Sequence, residues 1–251
     1  MEIKGILFDK DGTLIDFYDV WGTSAGPVMD RILKAYGLAS KKGVKDKLLE
    51  SIGVHGTVID SEGALAWKPY AGIAYDLKQV LAQENVNVSC ESLTEQLRTG
   101  FYEEISIKRQ TYPVFTDMKK LMETLNQMGI KTGVATTDEY ESTRICMEKI
   151  GISKWISFYG TSGINGPEKP DGELILLAAN EWNLKPEEIA VVGDTPNDMR
   201  FAHNGKAMGI GVLSGTGKKE ELELLADEIM DSVDDLLNLV KRRNGIGNKE
   251  N

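Results

Sequence analysis

The chain has 251 residues, 39 of them acidic against 29 basic, for a formal net charge of −10. That length buries a sizeable core, in one large domain or two smaller ones, without disulfides or structural metals. The acidic balance argues against general nucleic-acid binding, which needs surplus Lys and Arg along a phosphate backbone. No apolar run approaches the ~18 residues of a membrane span, and the first residues lack the charged-then-apolar pattern of a secretion signal. Two widely separated cysteines, Cys90 and Cys146, form neither a disulfide framework nor a Cys-rich zinc site. These features point to a reducing cytoplasm.

In chain order, Ile3 to Phe8 reads as a buried first strand that runs into Asp9-Lys10-Asp11-Gly12-Thr13-Leu14. From Asp16 to Gln110 the pattern is helical. Val28-Met29, Ile32-Leu33 and Tyr36 recur before Gly37; Ile73, Leu77, Val80 and Leu81 repeat the spacing, as do Leu93, Leu97 and Phe101. Gly53 to Gly63 between them reads as a loop holding a short extended piece. Near Tyr112-Pro113 an alternation of strands and helices begins. Phe115 and Thr116-Asp117 open a helix through Met118, Leu121, Met122 and Leu125 that closes at Gly129, and Ile130 to Ala135 is a strand. Thr137 or Asp138 is placed to cap a helix ending at Gly151. Strands follow at Ile156 to Tyr159, Ile189 to Val192, Ala207 to Leu213 and Glu228 to Met230. The intervening helices run from Asp171-Gly172 to Trp182, from Pro196 to Gly205 and from Gly217 to Leu225, and a last one is capped by Ser232.

Strand–helix alternation of this length predicts an α/β fold, a doubly wound parallel sheet with an inserted α-helical cap domain. The expected division is a core of residues 1–15 and 111–242, a helical cap of 16–110 and a mobile tail of 243–251 that follows the basic run Lys241-Arg242-Arg243.

Ligands of open parallel sheets bind beyond the carboxyl ends of the strands, and four groups of polar residues stand at such places. Asp9 and Asp11 are two apart, a spacing that in a strand puts both on one side, with Gly12 allowing the chain to leave at an angle. Thr136 follows Lys131 to Ala135. Lys169 lies in the loop Gly166-Pro167-Glu168-Lys169-Pro170. Asp194 and Asp198 sit in Val191-Val192-Gly193-Asp194-Thr195-Pro196-Asn197-Asp198, both near a helix start, where one cation could be served by them. Singly, each has a plain structural reading: an Asp-Gly turn, a helix cap, a solvated loop lysine, and acids favoured by a helix dipole.

Together and in this order, the four resemble the motif set of the haloacid dehalogenase superfamily with a class I helical cap. The overall layout is most similar to the phosphoglycolate phosphatases. The resemblance implies a phosphoric monoester hydrolase: a Mg²⁺-dependent phosphatase that hydrolyses a small phosphorylated metabolite through an aspartyl-phosphate. Asp9 would be the nucleophile and Asp11 the general acid and then base. Magnesium would bind the Asp9 carboxylate, the main-chain carbonyl of Asp11 and Asp194, with Asp198 nearby. Thr136, with the backbone N–H of Thr137, would hold a phosphoryl oxygen, and Lys169 would balance the charge of the transferring group. Two departures stand out. Lys10, between the acids where an apolar residue is common, is expected to point away from both, and Thr137 stands where Asn is common.

Other readings fit less well. A dehalogenase of this superfamily lacks the second acid. Gly211 to Gly217-Lys218-Lys219 has the wrong spacing for a phosphate loop, and no Ser or Thr follows Lys218. Gly209-Ile210-Gly211 lacks the third glycine of a dinucleotide motif. His55 and His203 are too few and too distant for a His-based metal site, although a cap-loop His55 could touch substrate. A phosphotransferase or mutase, or a phosphate-binding regulatory module without turnover, stays open, as do the substrate and the oligomeric state.

Overall fold

The computed structural model describes residues 2–56, 58–60, 62–162 and 168–246. Thr57 and Ser61 of the cap segment, Gly166 and Pro167 of the loop before Lys169, and residues 247–251 of the tail lie outside the described residues. The described chain divides into two compact units, one of Met1–Asp16 with Thr111–Asn251 and the other of Phe17–Gln110. No helix among the described residues is long and apolar enough to cross a membrane.

The first strand, β1 (Gly5–Phe8), is buried along its whole length, as a strand of a parallel sheet covered on both faces must be. The second unit then forms from α1 (Phe17–Ala35), α2 (Val44–Ser51), the short antiparallel pair β2 (Val54–His55) and β3 (Val58–Ile59), α3 (Ala64–Trp67), α4 (Tyr70–Gln83) and α5 (Cys90–Phe101). A π-helical stretch, Tyr102–Lys108, follows. The helical spacings in the sequence are the buried stripes: Val28, Met29, Ile32 and Leu33 of α1, Ile73, Leu77 and Leu81 of α4, and Leu93, Leu97 and Phe101 of α5. Aromatic rings link them, Trp21 lying 5.0 Å from Phe101 and Phe101 lying 5.9 Å from Tyr70 between centroids. His55 is exposed on the β2–β3 pair.

The first unit continues through α6 (Met118–Gln127), β4 (Lys131–Glu139), α7 (Tyr140–Lys149), β5 (Ile156–Ser162), α8 (Glu173–Trp182), β6 (Ile189–Gly193), α9 (Pro196–Asn204), β7 (Met208–Val212), α10 (Lys219–Leu225), β8 (Glu228–Met230) and α11 (Leu236–Arg243). Six strands form one sheet in the order β5-β4-β1-β6-β7-β8, every pairing parallel. The fold is α/β, with helices on both sides of the sheet. One face is filled by Leu174, Ile175, Ala178 and Trp182 of α8 and Phe201 and Ala202 of α9, packed on Leu7, Ala135, Ile189 and Val191 of the strands.

Four local expectations change. β4 does not stop at Ala135 but runs to Glu139, because after a bulge it pairs again with β5 at Glu139 and Ser162. The next helix therefore starts at Tyr140, and neither Thr137 nor Asp138 is its N-cap. The helix expected from Gly217 begins at Lys219, since the preceding residues are used elsewhere, and Ser232 caps a single 3₁₀ turn, Val233–Asp235, that leads into α11. The basic end of α11 is anchored: Arg242 and Arg243 both pair with Glu228. Asn244 beyond them accepts from the Ile3 N–H at 2.7 Å and donates to the Ile3 carbonyl at 2.8 Å.

Candidate active site

The sheet register brings the predicted residues to one edge. Val134, Phe8 and Val192 stand side by side on β4, β1 and β6, and Thr136, Asp9 to Asp11 and Asp194 follow them at the carboxyl ends. The Asp9 N–H donates to the Val192 carbonyl at 2.8 Å, so the strand pairing persists up to the first acid. Gly12 then turns the chain with a φ of +85°, a value glycine adopts without strain.

Lys169 is the hub. Its side chain is buried, and Nζ lies 2.6 Å from Asp9 Oδ1 and 2.6 Å from Asp198 Oδ1. Burial alone would lower its pKa, but the Asp198 and Asp9 carboxylates outweigh it and hold the lysine charged. Asp198 stands at the third position of α9 in a reciprocal capping box: Thr195 N–H and Oγ1 both donate to Asp198 Oδ2, at 3.0 and 2.6 Å. With one oxygen on Lys169 and the other on Thr195, Asp198 positions the lysine. The loop bearing Lys169 is itself fixed to the far end of α9. Asn204 Nδ2 donates to the Pro170 carbonyl at 2.8 Å, and a Cβ at Gly172 would lie 2.3 Å from the Gly205 nitrogen, so only glycine permits that approach.

Asp194 is buried under a loop, Ser214 to Gly217, that lies in the stretch rejected as a phosphate loop and to which the sequence assigned no part in the site. The Thr216 N–H donates to Asp194 Oδ2 at 2.8 Å, and Ser214 Oγ donates to the Gly12 carbonyl at 2.7 Å. A Cβ at Gly217 would fall 1.9 Å from the Asp194 carbonyl oxygen. The signal was slight: Ser214-Gly215-Thr216-Gly217 comes soon after β7, the strand next to that of Asp194, with two glycines where the backbone comes close.

Thr136 is buried near the end of β4, and its Oγ1 accepts from the Asp138 N–H at 3.2 Å; Thr137 is exposed. Lys10 departs from expectation. It does not point away: its side chain is 1% exposed, and Nζ lies 2.6 Å from Asp11 Oδ2 and 3.2 Å from Asp138 Oδ2. The strand ends at Phe8, so the alternation that would have sent Lys10 to the opposite side no longer applies there.

The electrostatics leave the pocket with more acid than its lysine offsets. Burial, then the charges of Asp198 and Asp11, push the Asp9 carboxyl up to about 7 against the pull of Lys169. Burial, then Asp9 and Asp198, hold the Asp194 carboxyl well above the usual carboxylate range. Such a set of hard oxygen donors with excess negative charge fits a small divalent cation. Among the described residues no three His, Cys, Asp or Glu side chains form a ready cage. Two carboxylates and a main-chain carbonyl, completed by water, suffice for Mg²⁺, which keeps several waters.

The family model for haloacid dehalogenase-like hydrolases matches residues 3–206. The "Putative pyrophosphatase PpaX" of Clostridium perfringens is 32% identical over 245 residues, covering 96% of this chain and 99% of its own. A phosphoglycolate phosphatase of Salmonella choleraesuis is 25% identical over 239 residues, covering 94% and 91%. Among solved structures, a predicted phosphoglycolate phosphatase from Haemophilus somnus superposes with a TM-score of 0.70 at 18% identity, covering 95% of this chain and 98% of the other.

Proposed function

Because the chain belongs to the haloacid dehalogenase-like hydrolase family, we propose that it is a cytoplasmic, Mg²⁺-dependent phosphatase acting on a small phosphorylated metabolite. The observation that carries this reading is Lys169 Nζ held at 2.6 Å from both Asp9 and Asp198, beside the buried Asp194. One acid is thereby presented to a substrate with a cation at its side, the arrangement phosphoryl transfer needs. Relatives named as a phosphoglycolate phosphatase and a pyrophosphatase support the reaction class and place small phosphomonoesters and pyrophosphate first among substrates to try.

In the first step an Asp9 oxygen attacks phosphorus and the bond to the leaving oxygen breaks. Asp11 gives that oxygen its proton, releasing the alcohol and leaving an aspartyl-phosphate. In the second step Asp11 takes a proton from water as it attacks phosphorus. The Asp9–phosphorus bond breaks, and inorganic phosphate and both carboxyl groups are restored. Lys169 keeps Asp9 oriented and offsets charge on the transferring group. Thr136 Oγ1 and the Thr137 N–H hold a phosphoryl oxygen. The Asp9 carboxylate, the Asp11 carbonyl and Asp194 would hold magnesium, with Asp198 behind them through Lys169 and Thr195. When bound, the ion supplies neutralisation of the phosphoryl oxygens and of the surplus acid. The helical unit Phe17–Gln110 is the cap that selects the leaving group.

The test is phosphate release from a panel of small phosphomonoesters and pyrophosphate, with and without Mg²⁺, using Asp9→Asn as control. Release that needs both Mg²⁺ and Asp9 is expected. An isomerised product with little free phosphate would instead identify a phosphotransferase or mutase, and binding without turnover a regulatory module.

A further inference from the structure

A lysine ammonium is costly to bury, and an apolar side chain of similar volume would fill the same space without that cost. Packing alone therefore does not explain Lys10, which is 1% exposed. Its two partners come from segments far apart in the chain. Asp11 belongs to the turn after β1, and Asp138 to the end of β4, where its own N–H donates to Thr136 Oγ1 at 3.2 Å. Lys10 thus ties the second acid to the residue pair assigned to hold the phosphoryl group.

We propose that Lys10 is a positioning residue for leaving-group protonation: by pairing with Asp11 and Asp138 it arrests the Asp11 carboxyl in register with the Thr136 end of β4. The assignment rests on the phosphatase reading above. A general acid works only when held within a fraction of an ångström of the oxygen it protonates. The turn that bears Asp11 is fixed by its own backbone hydrogen bonds, Gly12 N–H to the Ile15 carbonyl at 2.8 Å and Leu14 N–H to the Lys10 carbonyl at 3.0 Å, and Lys10 extends that order to the carboxyl group. The neighbouring Cys146 thiol, pushed up to about 12 by burial, stays neutral and does not compete for the lysine. Asp138 then has a definite purpose, in place of the helix cap that the sequence suggested.

Loss of this positioning must act on the leaving group and not on turnover at large. Two esters of nearly equal shape separate the cases. p-Nitrophenyl phosphate departs with little help from an acid, whereas phenyl phosphate, with its more basic oxygen, needs it. The readout is kcat/KM, which reports transfer to Asp9, for the intact protein and for Asp11→Asn, Lys10→Met and Asp138→Asn.

Asp11→Asn is expected to lose about 100-fold more on phenyl than on p-nitrophenyl phosphate. Lys10→Met should show a gap of about 10-fold in the same direction, and Asp138→Asn, which frees only the far anchor, a smaller one of the same sign. Equal loss on both esters in Lys10→Met and Asp138→Asn, while Asp11→Asn still discriminates, would overturn the proposal. Lys10 would then be a packing element. If Lys10→Met does not fold, the nearly isosteric Asp138→Asn decides alone. If the intact protein releases phosphate neither from these esters nor from any member of the phosphomonoester and pyrophosphate panel, the phosphatase reading falls and the inference with it; where only panel members react, the same comparison is run on two of them whose leaving oxygens differ in basicity. A failure of Asp11→Asn alone to discriminate removes the acid role from Asp11, and so removes what Lys10 would position.

Discussion

The interior of the unit Phe17–Gln110 and the active-site end of the other unit are built from different contacts. In the former, apolar stripes and the rings of Trp21, Phe101 and Tyr70 meet, and its ion pairs, such as Arg109 with Asp19 at 2.8 Å, lie where water reaches them. In the latter, beneath the carboxyl ends of β1, β4 and β6, lysines and carboxylates are buried against one another. Apolar burial is non-directional and tolerates substitution of similar volume. A buried ionic cluster depends on each partner and contributes little net stability for its cost. The first arrangement makes a scaffold, whereas the second makes a reagent whose geometry is retained at the expense of stability.

Substitutions can sharpen or break that contrast. Asp9→Asn should lower turnover by at least about 10⁴-fold while the melting temperature moves by only a few degrees; a large loss of stability would show that the acid serves the fold. Lys169→Met should lower kcat by roughly 10²- to 10³-fold. It also strands Asp9 and Asp198, so urea denaturation should register a cost of about 3–5 kcal/mol. In the other unit, Phe101→Ala should cost about 3–5 kcal/mol in the same assay and leave kcat per folded molecule nearly unchanged. Gly217→Ala drives a methyl group against the Asp194 carbonyl. It should cost about 1–3 kcal/mol and raise the Mg²⁺ concentration needed for half-maximal activity. Ser214→Ala removes only the hydrogen bond to the Gly12 carbonyl, and a loss of about 1 kcal/mol is expected.

The same contrast explains what could be read in advance. Strand ends followed by Asp, Thr, Lys or Gly-Asp are short, local signals, and the parallel register carries them to one edge, so the α/β fold and the gathering of Asp9, Lys169, Asp194 and Asp198 were legible from spacing and order. The direction of Lys10 was not, because the rule of alternate sides holds only within a strand and β1 ends two residues earlier. The reach of β4 to Glu139 was hidden for another reason: it depends on pairing with Ser162, a partner more than twenty positions away, and propensity does not encode tertiary pairing. The Ser214 to Gly217 clasp on Asp194 has no local pattern beyond two glycines. In the helical unit, the spacing gave the buried faces of α1, α4 and α5 but not which rings would meet.

The Asn244 side chain, which engages both backbone groups of Ile3 as a neighbouring strand would, joins positions 241 apart. Ile3 is fully buried, and a buried backbone donor or acceptor without a partner is costly. During synthesis, Ile3 and the strand that leads to Asp9 emerge well before the amide that completes their hydrogen bonding, which follows all four motifs. A message truncated just before codon 244 would therefore encode every residue assigned to the chemistry and still release a protein with an open seam at the head of its central strand.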